Sequence, residues 1–270
     1  MTAPTPRRAG GARLAWSFFR VSAMNEVQYR ANFFLQVLQS LLTLGAGLVG
    51  LAVVFGRTDD LAGWSRPQLL AVMGVFTMVG GIIRTFVQPN MQRFVEDVQR
   101  GTLDYALTKP ADAQMLVSVR EVRIWQAVDI VAGLVVLVIA LVQLDSGTGA
   151  LRRGLAFVAL LFVGSWCIYC FWLMLAASSF WLTRVEEMQE LFQGLYRSGQ
   201  YPVGIYPPWM RYGLTFLVPI GFAVTVPSEA VTGRLSGGTV VVALGVAVAL
   251  GALSRLVWMR GLRRYGGASS

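Results

Sequence analysis

"FFLQVLQSLLTLGAGLVGLAVVF", residues 33–55, runs 23 residues without a charge. At a helical rise of about 1.5 Å per residue, such a stretch crosses the roughly 30 Å hydrocarbon core of a bilayer. It is too long for the apolar core of a signal peptide and lacks a convincing cleavage site, so it is expected to stay in the membrane. The whole chain agrees: 55% of its 270 residues are hydrophobic, only 14% are charged, and the mean hydropathy is +0.58. Soluble domains carry about 25% charged residues. The fold class that follows is an all-α polytopic membrane protein.

Similar stretches recur at about 68–88, 124–144, 154–182 and 239–259. Between them, 185–206 reads as a further span with a polar stripe. Segment 214–226 is short and broken by Pro219, which suits a re-entrant helical hairpin before the last span. Six spans result, forming a transmembrane domain over 31–260. It is preceded by a basic segment, 1–30, with an amphipathic interfacial helix, and followed by a short tail, 261–270.

Charge orients this arrangement. Placing both termini in the cytoplasm puts fifteen Lys and Arg residues inside and six outside, as the positive-inside rule favours. Trp16, Trp64, Trp125, Trp181, Trp209 and Trp258 fall near span boundaries, where an aromatic belt would sit.

Several chemistries are excluded or weakened. The net charge of +9 comes from dispersed arginines, which argues against nucleic acid as a partner. There is no histidine, the commonest general base and metal ligand. Cys167 and Cys170 form a CxxC inside an apolar helix with no second pair, so buried structural thiols are the plainer reading than zinc or redox chemistry. "GAGLVG" (45–50) matches GxGxxG, but it lies within a membrane helix whose amides are already bonded. Close helix packing is its expected use. The only lysine, Lys109, is followed by Pro110, so there is no Walker A motif, and any ATP-driven process is expected to borrow its ATPase.

Ionisable groups inside spans are functional candidates by default. Arg84 and Asp129 fall near the inner ends of adjacent spans and are expected to pair, as a structural ion pair or as part of a pathway. Glu186, Glu190, Gln193 and Arg197 follow i, i+4, i+7, i+11 and share one helix face. They could line a polar conduit or satisfy one another within the bundle.

The second and third spans are separated by "VQRGTLDYALTKPADAQMLVSVREVR" (98–123), which is charged and helical in period. Gly101 frees the chain from the preceding helix, and Thr102 is expected to cap a short helix. Leu103, Ala106 and Leu107 share its apolar face, beside Asp104 and Lys109. Pro110 ends the insert, and Asp112 can cap the next helix.

Here the chain resembles type-2 ABC transporter permeases. The likeness rests on "QRGTLDYALTKPADAQMLVSVR" (99–120), where Gly101, Thr102, Leu103, Asp104, Leu107 and Pro110 match, and on "SGQYPVGIYPPWMRYGLTFLVPIGFAVTVPSEAVTGR" (198–234). The resemblance implies that the insert is a coupling helix docking on a cytoplasmic ATPase subunit. That subunit would bind ATP and Mg, leaving this chain without cofactor and non-catalytic. It further implies a second permease chain, identical or paralogous, an amphiphilic cargo (drug, lipid or glycolipid), and a bacterial cytoplasmic membrane. The alternative is an ion-gradient-coupled secondary transporter, relaying protons through Asp129, Glu186 and Glu190. The absence of an internal repeat counts against it.

Overall fold

The computed structural model describes residues 30–109, 112–144, 149–182 and 185–265. The expected amphipathic segment before residue 30 lies outside the described residues, as do Pro110 and the tail beyond Tyr265. The protein is a helical bundle. Its elements are α1 (Arg30–Phe55), a two-stranded hairpin of β1 (Asp60–Leu61) and β2 (Trp64–Ser65), and α2 (Arg66–Gln99). A connector follows, with a single turn α3 (Asp104–Leu107) and α4 (Ala113–Ser118). Then come α5 (Ile124–Gln143), α6 (Ala150–Phe180), α7 (Val185–Tyr196), α8 (Pro208–Leu217), α9 (Gly221–Thr232) and α10 (Gly237–Arg264). Among the described residues α1, α2, α5, α6 and α10 are long and apolar enough to cross a membrane. The pair α8–α9, bent by 80°, makes a sixth candidate.

Helix α2 is the spine. Two-thirds of its apolar stretch is buried (67%), against 11% for α1, whose Phe34, Leu35, Leu38, Leu41 and Leu42 face outward. The start of α2 is set by Pro67 in its first turn and by Gln68, whose Oε1 accepts the Ser65 N–H at 3.1 Å. Further along, Pro89 has no N–H to give the carbonyl four residues back. There the helix widens into a π turn over Ile83–Val87, and the freed Thr85 carbonyl accepts the backbone N–H of Arg123 at 3.1 Å. Asn90 completes the seam. Its amide donates to the carbonyls of Phe86 and Glu121 (both 2.7 Å) and accepts the N–H groups of Arg120 and Glu121 (2.8 and 2.9 Å). One proline thus breaks the helix where the returning chain can repair it.

Helices α2 and α5 touch backbone to backbone. A Cβ on Gly74 would stand 2.7 Å from the Leu137 nitrogen, and one on Gly133 would stand 2.5 Å from the Gly74 carbonyl oxygen. Gly81 makes a similar approach to Ile130. Close packing through small residues therefore falls on these three glycines. Of the 45–50 motif, Gly45 has open space beside it, while Gly47 faces the Met73 and Gln200 side chains.

The spans alternate between two ends. At the connector end Phe33 packs on Trp125 (5.2 Å between ring centroids), and Phe94 meets Phe180 and Trp258 (5.6 and 5.1 Å). At the hairpin end the Arg234 guanidinium lies 4.6 Å over the Trp64 ring and donates to the Gly63 carbonyl at 2.6 Å. Trp64 and Trp258 are buried core residues rather than boundary anchors; Trp181 and Trp209 are exposed.

Helix α6 finishes at the connector end and α10 begins at the hairpin end, so the chain between residues 181 and 236 makes one net crossing. Helix α7 within it is shorter than the expected 185–206, with twelve α-helical residues continued by a 3-10 turn over Arg197–Gln200. It buries Val185, Gln189, Phe192 and Tyr196, again the i, i+4, i+7, i+11 spacing. The apolar residues Met188, Leu191 and Leu195 face outward.

Candidate functional site

Two features bear on function: the connector at one end and a polar cavity within the bundle. The connector begins where Gly101, at φ +70, ends α2 in a left-handed turn. The Thr102 N–H bonds back to the Asp97 carbonyl at 2.9 Å and the Gly101 N–H to that of Val98 at 3.3 Å, the double closure of a Schellman turn. Thr102 does not cap α3. Its hydroxyl donates to the buried Asp97 carboxylate at 3.1 Å. That carboxylate also receives Arg120 at 2.7 Å.

The apolar face expected of Leu103, Ala106 and Leu107 divides. Leu103 and Ala106 are buried against the bundle, and the side chains turned outward are Tyr105, 79% exposed, and Leu107, with Met115 close in sequence. The reason is local. The turn is only four residues long, and the return bond at Gly101 rolls its i, i+3 pair under the end of α2. Asp104 opens the turn, and its backbone carbonyl accepts the Thr108 N–H at 3.0 Å; the exposed Lys109 follows. Asp112 caps α4, accepting the Met115 N–H at 3.1 Å.

The connector is tied to three membrane helices. Asp97 and Asn90 hold it to α2. On α6, the Tyr169 hydroxyl shares a 2.8 Å hydrogen bond with Ser118. On α10, Arg255 donates to Asp112 at 2.8 Å and to Gln114 at 2.7 Å. The bond from Arg255 pulls the Asp112 carboxyl below the usual carboxylate range; partial burial opposes it and the Met115 N–H adds to it.

The cavity, of about 610 Å³, lies between α1, α2, α7 and the start of α5. Arg84, in the π turn of α2, donates to Asp129 of α5 through Nη2 and Nε at 2.6 and 3.1 Å. Gln36 of α1 reaches the same oxygen at 3.4 Å. Asp129 is buried while Arg84 is partly open to the cavity. Of the α7 stripe, Gln193 and Arg197 line the cavity; Glu190 is exposed outside it. The Glu186 side chain lies outside what is described. The far wall was not foreseen. Gln36, Ser40, Thr43, Gly47 and Gly50 of α1 all line the cavity, and their i, i+4, i+7, i+11, i+14 spacing is a polar and small-residue seam about 21 Å long at 1.5 Å per residue. Opposite it, Tyr196 stacks on Phe76 (4.8 Å) and donates its hydroxyl to the Phe76 carbonyl at 2.8 Å.

Cys167 and Cys170 are free and buried, and the described residues hold no cluster of metal-ligating side chains. Long apolar helices around a polar cavity, with a connector gripping three of them, describe a multi-pass membrane protein. Residues 41–269 match the model of the ABC-2 family transporter proteins, and the chain belongs to that family. Permeases of this family work with ATPase subunits in the membrane. No curated protein and no solved structure matches the chain.

Proposed function

We propose that the chain is the membrane subunit of an ATP-driven exporter whose ATPase docks on the connector. The observation that carries this reading is the mounting of the connector. It is bonded at once to α2, α6 and α10 while holding Tyr105, Leu107 and Met115 outward. A surface helix lying on lipid headgroups has no need of polar ties to three helices, one of them a largely buried ion pair. A lever does, because a force applied at Tyr105 must reach the spans without being lost in a flexible loop.

On this reading the connector end, rich in Lys and Arg, is cytoplasmic. Residues 185–206 provide the net crossing, and α8–α9 dips in from the opposite side and returns. Two permease chains assemble with two ATPases. ATP binding closes the ATPases, the connectors move with them, and the cavity changes the side to which it opens. The ATPase binds the two permease conformations unequally, and that difference in affinity lets ATP bias the bundle. The cargo is amphiphilic. Asp129, the cavity's one carboxylate among the described residues, is held by Arg84, which supports a pathway driven from outside the membrane over a proton relay.

Affinity purification of the tagged chain from native membranes in a mild detergent tests this. Co-elution of a cytoplasmic ATP-binding subunit is expected. A folded, monodisperse chain that brings down no ATPase, and whose transport collapses with the proton gradient while ATP is held constant, contradicts it.

A further inference from the structure

We infer that the cavity between α1, α2 and α7 binds the head of its cargo, and that this head is hydrogen-bonding and non-cationic, of the polyhydroxyl or amide kind. The inference rests on the transport reading and deepens it by naming what the site recognises. Three observations carry it.

The first is the composition of the wall. Six carboxamides line the cavity: Gln36, Gln39, Gln88, Gln126, Gln193 and Gln200. Each can donate and accept. Charged groups are few. Arg84 and Asp129 neutralise one another, and Arg197 is exposed at the rim. A cationic head would meet an arginine and no available carboxylate. A neutral head, or one bearing a single negative charge, meets amides, hydroxyls and one cation.

The second is a set of unmade bonds. Ser40 is 5% exposed and Trp172 is 0% exposed. The hydroxyl of Ser40, the indole N–H of Trp172 and the Gln126 carbonyl oxygen have no hydrogen-bond partner among the described residues. All three side chains line this cavity. Buried polar atoms are normally satisfied, so three unmade bonds in the wall of one cavity call for an explanation, and a hydrogen-bonding guest drawn into that wall supplies one.

The third is the shape of the wall behind them. Trp172, Phe192, Tyr196 and Phe76 form a continuous aromatic run, with ring centroids 5.0, 6.1 and 4.8 Å apart. Such a run offers flat apolar faces beside the polar groups, which suits a ring carrying hydroxyls. The volume lies within the range of about 300–1,000 Å³ for small-molecule sites. The rim at Gln39 and Thr43 is exposed, and the outward face of α1 next to it is apolar, so a chain attached to the head has an apolar surface to follow.

The test uses the full chain in lipid nanodiscs and three photoreactive dodecyl amphiphiles. They differ only in the head, which is a glucoside, a sulfonate or a trimethylammonium, with the diazirine beside it. The readout is adduct yield on peptides from α1 and α7. The glucoside should label most and the ammonium least, by at least about fivefold, the worth of roughly one net hydrogen bond. Gln193→Leu, at the exposed rim, and Ser40→Leu should each lower glucoside labelling by a similar factor. Leu191→Ala, on the outward face of α7, should not. Competition by unlabelled dodecyl glucoside alone identifies an amphiphile's head; competition by free glucose as well identifies a soluble solute of the same chemistry. Equal labelling by all three heads, preference for the ammonium, or no loss in Gln193→Leu overturns the inference. No step requires ATP, so loss of head discrimination with ATPase capture intact refutes this inference alone.

Discussion

Arg255, near the connector end of α10, holds Asp112 of the connector at 2.8 Å, across 143 positions of sequence. The two side chains are about half exposed (46% and 47%), so the pair is worth at most about 1 kcal/mol to stability. Its value is positional, since it fixes the connector to the last span.

The pH dependence of this contact has a definite sign. The Asp112 carboxyl is lowered in the folded protein, chiefly by Arg255. Its contribution is therefore complete above the usual carboxylate range of about 4 and is lost as pH falls through the lower folded value. Asp112→Asn keeps the helix cap, because Asn caps about as well as Asp, and removes the charge. The melting-temperature difference between wild type and this variant should stay constant from about pH 5 to pH 8. It should narrow toward pH 3, as followed by intrinsic tryptophan fluorescence in detergent. A difference that grows on acidification refutes the assignment.

Arg84 and Asp129 should behave as a structural couple. Removing one partner of a buried pair costs about 3–5 kcal/mol. Because Arg84 is 40% exposed, about 2 kcal/mol is expected here after discounting for solvent screening. Asp129→Asn should lower the unfolding midpoint, and the double variant Arg84→Gln/Asp129→Asn should recover most of the loss. Additive losses in the thermal-shift cycle would mean that the two residues do not act together.

The α2–α5 crossing leaves no room for a side chain. Gly133→Val places methyl groups against the Gly74 and Met78 backbone, and overpacking of this kind typically costs about 1–3 kcal/mol or more. A sharp fall in monodisperse protein on size-exclusion chromatography is expected. Gly45→Ala, with open space beside it, should leave the profile unchanged.

How much of this was legible in the sequence follows from what each pattern encodes. Long apolar runs with few charges mark membrane helices because length and apolarity suffice, so α1, α2, α5, α6 and α10 were readable. The seam of Gln36, Ser40, Thr43 and Gly47 was present in the same letters, but a span read for its apolar mass conceals a stripe of uncharged polar groups. At Leu103 and Ala106 the periodicity marked a two-faced turn without saying which face is inward; that is decided by the Schellman closure at Gly101 and the packing beneath it. Asn90 and Asp97 join segments 23 to 31 positions apart, and nothing local announces such partners. The shortness of α7 reflects the 3-10 turn after Tyr196 and Pro202 soon after it, where an extended apolar period had suggested a continuous span.

The most direct test of the lever is photo-crosslinking in native membranes before any solubilisation. A benzoylphenylalanine is placed at Tyr105, and in a parallel variant at Leu191, which is also well exposed (69%) but lies on the outward face of α7. Adducts at 105 with a cytoplasmic ATP-binding subunit, absent at 191 and changed in yield by trapping ATP, are the expected result. Adducts at 105 with lipid alone would contradict it, leaving the connector as a surface helix on the membrane with nothing to drive it.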